Sequence, residues 1–184
     1  MNRLKTTYVV DRVNSALYYA AIERSKIDGS TVTVASRFNS PGKLLKHLIL
    51  KEYKVVIFSW RRALLDLYSS KLKLRELSKF RSSTRVGVLV ADYLGLSSSS
   101  NEGKIISLCD FYYVTNRELF KSYRLAFGYK PPMGILHDLP NEDLIRKLRF
   151  SNNFHPNDVP IIIWVGHSKW GDRQGALDHK GYHE

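Results

Sequence analysis

Six times between residues 6 and 136, a short run of β-branched and aromatic residues is followed by a stretch with apolar positions at helical spacing. This alternation constrains the fold more than any other feature. Residues 6–10 (TTYVV), 31–35 (TVTVA), 54–59 (KVVIFS), 86–91 (VGVLVA), 111–115 (FYYVT) and 133–136 read as strands, because short apolar runs bounded by turn residues suit a sheet buried on both faces. Helices are expected between them. ALYYAAIERSK follows the first run, Pro41-Gly42 opens a helix over 42–53, and a third helix starts near Arg61 and reaches Phe80 with a break around Ser69-Ser70. Residues 102–108 and 117–128 supply two more, the second capped by Asn116 and ended by Gly128. Successive βα units joined by right-handed crossovers give an α/β fold, a Rossmann-like parallel sheet with helices on both faces.

A seventh apolar run, residues 161–165 (IIIWV), stands apart from these units. A short helix over 141–148 and the polar, turn-rich SNNFHPND separate it from them. At 184 residues the chain holds one well-packed domain and a remnant rather than two full domains. The expected division is a domain over residues 1–150, a linker over 151–158 and the start of a truncated second domain over 159–184.

The formal net charge is +12, and it is unevenly spread. Between Lys43 and Arg85 twelve Lys or Arg face Glu52, Asp66 and Glu76, so this quarter of the chain supplies nine of the twelve net charges. Such a surface attracts phosphate, in nucleic acid, anionic lipid or a phosphorylated small molecule, or it serves solubility alone. The single cysteine, Cys109, lies in the apolar IISLCDFYYV and reads as a small core residue in a reducing compartment. No run is long enough for a signal peptide or a membrane span, so a cytoplasmic protein is expected, peripheral at the inner membrane face if the basic surface meets lipid.

In a parallel α/β sheet the chemistry sits in loops after the strands. Those positions are Asp11, Arg12, Asn14 and Ser15 after the first strand, then Ser36 and Arg37, then Ser59, Trp60, Arg61 and Arg62. Asp92 and Tyr93, Asn116 and Arg117, and His137 and Asp138 follow the later strands. No GxGxxG follows the first strand and no GxxxxGK[ST] occurs, which argues against a dehydrogenase or a P-loop enzyme. Asn14 and Ser15 head the first helix, where they either bind a phosphate or act as an ordinary N-cap. Asp92 either takes a proton from a sugar hydroxyl or shapes its own turn, and His137 beside Asp138 is either a base with its orienting carboxylate or a turn residue. Trp60, Arg61, Arg62 and Tyr93 are candidates for contact with an acceptor or a membrane, the third helix either lying on anionic lipid or facing the core with a wet basic back. His179 and His183 stand four residues apart but straddle Gly181, no HExxH occurs, and no metal is expected at His167, His179 or His183.

The tail sequence WVGHSKWGDRQGALDHKG resembles the opening of the second domain in two-Rossmann-domain (GT-B) nucleotide-sugar glycosyltransferases, in particular the large retaining family called group 1. In that family an apolar strand ends in a Gly, a basic or polar residue follows, and after a variable loop a Lys-Gly pair begins the next helix. Here the Gly is Gly166 and the pair is Lys180-Gly181, while His167 stands where the family often has Arg. The resemblance implies donor-diphosphate roles for Gly166, Lys169 and Lys180. MGILHDLPNEDLI likewise resembles the turn joining the family's two domains, with Asp138 retained. It implies that residues 1–150 form the acceptor-binding domain of an enzyme that moves a sugar from a nucleotide-diphosphate donor to a glycan or lipid-linked acceptor in cell-surface polysaccharide synthesis. The donor is a substrate and no cofactor is implied. The carboxylate motif of the donor domain is absent from these residues, so a chain inactive alone, partnered by a missing C-terminal domain, is expected. The competing reading is a non-catalytic basic α/β module that grips nucleic acid, against which stands the lack of any nucleic-acid motif.

Overall fold

The computed structural model describes residues 4–69, 74–91 and 100–137, all within the compact unit Met1–Ile145. The 141–148 helix, the linker and the second-domain segment with the seventh run lie outside the described residues. Six parallel strands form one sheet: β1 (Thr6–Val10), β2 (Thr31–Val34), β3 (Val55–Phe58), β4 (Arg85–Val90), β5 (Phe111–Val114) and β6 (Gly134–Ile135). Their spatial order is β2-β1-β3-β4-β5-β6. The chain therefore moves one way from β1 to β2 and the other way from β3 onward. The Rossmann-like α/β expectation is met.

That reversal decides where the helices go. A constant crossover hand puts the β1–β2 helix on one face and the later helices on the other. Helix α1 (Ala16–Asp28) accordingly packs with Tyr8, Val10, Val34, Ile57 and Leu89. The opposite face carries α2 (Pro41–Leu50), α3 (Arg61–Ser69), α4 (Leu74–Ser83), α5 (Asn101–Leu108) and α6 (Arg117–Ala126) over Val9, Val56, Phe58, Val86, Val88, Tyr112 and Val114. Because β1, β3 and β4 are packed on both sides, their sequences show continuous apolar runs rather than alternation.

Local signals account for most boundaries. Ser15, Ser40, Ser100 and Asn116 each accept a hydrogen bond from a backbone N–H in the first turn of the following helix. Gly29 closes α1 in the left-handed region at φ 72°, which only glycine enters without strain. Helices α3 and α4 stand on either side of residues 70–73, which lie outside the described residues, as does most of the expected break around Ser69-Ser70. Two endings differ from expectation. Helix α2 stops at Leu50 rather than residue 53, and Glu52 takes a positive φ of 54° as the chain turns into β3. Phe127, not Gly128, closes α6, since its fully buried ring anchors the helix end.

Candidate functional site

Between β1 and β3 the strand order reverses, and the loops leaving the two strands diverge to open a crevice at the carboxyl edge. Backbone hydrogen bonds lace its rim. The N–H groups of Ser59 and Trp60 both donate to the carbonyl of Val9, at 3.0 and 3.1 Å, and the N–H of Ser36 donates to the carbonyl of Asp11 at 2.9 Å. The loops after β1, β2 and β3 are thus held as one unit. They enclose a cleft of about 570 Å³ whose polar lining is Asp11, Arg12, Ser36, Asn39, Ser40 and Asp66. Trp60, 40% exposed, forms its aromatic wall, with Phe38 and Leu44 also lining it.

Asp11 is the best-positioned polar group in the cleft. Its carboxylate accepts a hydrogen bond from the Ser15 hydroxyl, and its other oxygen lies 3.9 Å from Arg12 Nε. The Ser15 oxygen also accepts from the Tyr18 N–H at 3.1 Å, so it serves as the N-cap of α1. Asn14 takes a positive φ of 63°, and its side-chain oxygen accepts from the Tyr19 hydroxyl at 3.0 Å. Asn14 and Ser15 therefore act as turn and cap. An anion placed at this helix start would meet the Asp11 carboxylate, so the geometry sides with capping over donor-phosphate binding.

Ser59 ends β3 directly before Trp60. Its hydroxyl is buried and has no hydrogen-bond partner among the described residues. A buried hydroxyl left unpaired beside a cleft is capacity for a bound water or ligand.

Trp60 is the one residue of the Trp60-Arg61-Arg62 trio that faces the cleft. Arg61 turns inward, 11% exposed, to the carboxylate of Glu102, which is 1% exposed and also accepts from the Tyr123 hydroxyl at 2.9 Å. Burial and the Glu102 charge push the Tyr123 hydroxyl far above the usual tyrosine range. Arg62 pairs on the surface with Asp66 at 3.0 Å. Helix α3 buries Ala63, Leu64 and Leu67, so its apolar stripe belongs to the core and is not free to enter a membrane. Arg61 is correspondingly a structural cation rather than an acceptor or membrane contact.

His137 is exposed, and its carbonyl accepts from Arg24 Nη2 at 2.9 Å, which ties the chain after β6 to α1. Asp92, Tyr93, Asp138, Gly166, Lys169 and Lys180 lie outside the described residues, as do His167, His179 and His183. Cys109 is buried, its thiol pushed up to about 11 chiefly by desolvation. No group of three His, Cys, Asp or Glu among the described residues could hold a metal ion, and no described helix is long and apolar enough to cross a membrane.

No protein-family model, curated protein or solved structure matches the chain. The cleft is therefore read from its chemistry. Two carboxylates and one guanidinium line it, a balance that suits hydroxyl donors better than a polyphosphate. Sequence inspection listed Asp11, Arg12 and Ser36 among loop residues but could not single them out, and it passed over Asn39, Ser40 and Asp66. Only the strand order, which brings three loops to one crevice, separates them from the other strand-end residues.

Proposed function

We propose that the chain is the acceptor-side domain of a glycosyltransferase, and that the cleft between β1 and β3 holds a sugar of the glycan or lipid-linked acceptor. The observation that carries this reading is the pairing of the oriented Asp11 carboxylate with the half-exposed Trp60 ring across one polar crevice. A pyranose presents hydroxyl donors at its rim and C–H groups on its face, which match a carboxylate and an aromatic wall respectively. Ser36, Asn39 and Ser40 add neutral partners for further hydroxyls. The nucleotide-diphosphate donor is assigned to a second domain on the resemblance of the tail, with Gly166, Lys169 and Lys180 at its phosphates and Asp92 and Tyr93 near the acceptor.

The test is saturation-transfer NMR on the full chain with a panel of gluco-, manno- and chito-oligosaccharides, against nucleoside diphosphates as a contrasting class. Binding of an oligosaccharide is expected, weakened about tenfold by Asp11→Asn, the equivalent of one charge-assisted hydrogen bond, and about tenfold by Trp60→Ala, which removes the aromatic wall. Binding of nucleoside diphosphates in the cleft, or oligosaccharide binding indifferent to both substitutions, would refute the assignment.

A further inference from the structure

Helices α2 and α4 pack side by side on one face of the sheet, with Leu44, Leu45, Leu48 and Phe80 turned into the same core. Their opposite sides therefore share one outer surface. On α2 the outward positions are Lys43, Lys46 and Leu50, spaced three and four residues apart on one stripe. On α4 they include Arg75 and Lys79, one turn apart, and exposed Lys51 and Lys54 continue the patch beyond the end of α2. None of these six cations has a side-chain ion pair or hydrogen bond among the described residues, whereas Arg61, Arg62 and Arg81 are all paired. Exposed Glu52 and half-buried Glu76 are the opposing acids. Leu50, amid the cations, is 81% exposed.

We propose that this α2–α4 surface docks on an anionic lipid bilayer, the lysines meeting headgroups and Leu50 entering the interface. Unpaired cations pay no penalty for leaving another partner, and an exposed Leu inside a basic stripe gains from a surface with an apolar layer beneath its charge. Nucleic acid offers the charge without that layer. Among the described residues no exposed aromatic side chain accompanies these cations to stack on bases. The surface differs from α3, whose apolar residues are in the core, and the proposal does not depend on the reading of the cleft.

The experiment is co-sedimentation of the full chain with phosphatidylcholine vesicles, with and without phosphatidylglycerol, and in parallel a fluorescence titration with single-stranded RNA. Binding only to the anionic vesicles, reversed by salt, is expected. Each lysine is worth about fivefold in partitioning, so Lys43→Gln/Lys46→Gln should lose about twenty-five-fold. Lys26→Gln/Lys121→Gln, with the same charge loss elsewhere, should change it little. Leu50→Ser should weaken vesicle binding about tenfold at unchanged charge. Equal losses in the two lysine doubles, indifference to Leu50→Ser, no preference for anionic vesicles, or RNA binding tighter than vesicle binding would each overturn the proposal.

Discussion

Breaking the Arg61–Glu102 pair tests the packing between α3 and α5 most directly. Both groups are out of water, Glu102 at 1% exposure and Arg61 at 11%, and Tyr123 donates to the same carboxylate oxygen at 2.9 Å. Removing one partner of a buried pair leaves an uncompensated charge, a loss of about 3–5 kcal/mol. The two sides are unequal, because Arg61 begins α3 and reaches solvent more easily than Glu102. Arg61→Met should therefore cost about 4 kcal/mol and Glu102→Gln about 3, while Tyr123→Phe, which removes one charge-assisted bond, should cost about 1.5. The triple variant Arg61→Met/Glu102→Leu/Tyr123→Phe leaves neither a stranded charge nor a stranded hydroxyl and should return to within about 1 kcal/mol of the natural chain. Urea unfolding followed by circular dichroism, with slopes compared so that only the midpoint changes are read, gives each value. If the triple variant is as unstable as the single losses added together, the cluster is not the compensated unit described here.

Gly87 on β4 lies under the Phe111 ring, and a Cβ there would come within 2.4 Å of the ring edge. Gly87→Ala should destabilise by about 1–2 kcal/mol, at the low end for overpacking because the ring edge can shift, and Phe111→Leu in the same chain should recover most of it; a stabilised Gly87→Ala would disprove the contact. With its thiol near 11 instead of 9, Cys109 is about one part in a thousand thiolate at pH 8. Iodoacetamide labelling should be slow in the native chain and climb about tenfold per pH unit toward 11, while urea-unfolded chain labels rapidly; fast native labelling at pH 8 would contradict the burial.

Strand order, more than strand position, separates what was legible from what was not. All six apolar runs of the first unit became strands within a residue or two. Cys109 was readable as core from its apolar neighbours. The burial of Arg24, Arg61 and Glu102 was not, because a charged residue's partner lies far along the chain: forty-one residues separate Arg61 from Glu102. The same holds for the cleft. Asp11 and Trp60 meet because β1 and β3 are neighbours, and nothing local to either residue says so.

Charge segregation follows from that topology and bears on how the net charge should be read. An excess of +12 suggests an affinity for phosphate wherever a ligand binds. Yet the cleft at the carboxyl edge is lined by Asp11 and Asp66 against Arg12, while the unpaired cations gather on α2, α4 and the start of β3. At physiological salt the screening length is about 8 Å, so Lys51 and Lys54, past the end of α2 opposite to the Ser40 and Pro41 that line the cleft, have little influence on a ligand seated there. Asp11 with Arg12, and Asp66 with Arg62, set the local charge at the cleft, and the unpaired cations set that of the outer surface. The two surfaces are expected to select different chemistries, polyhydroxyl in the one and polyanionic in the other, and Asp11→Asn and Lys43→Gln/Lys46→Gln should weaken one interaction each, about tenfold and about twenty-five-fold, with the other little changed.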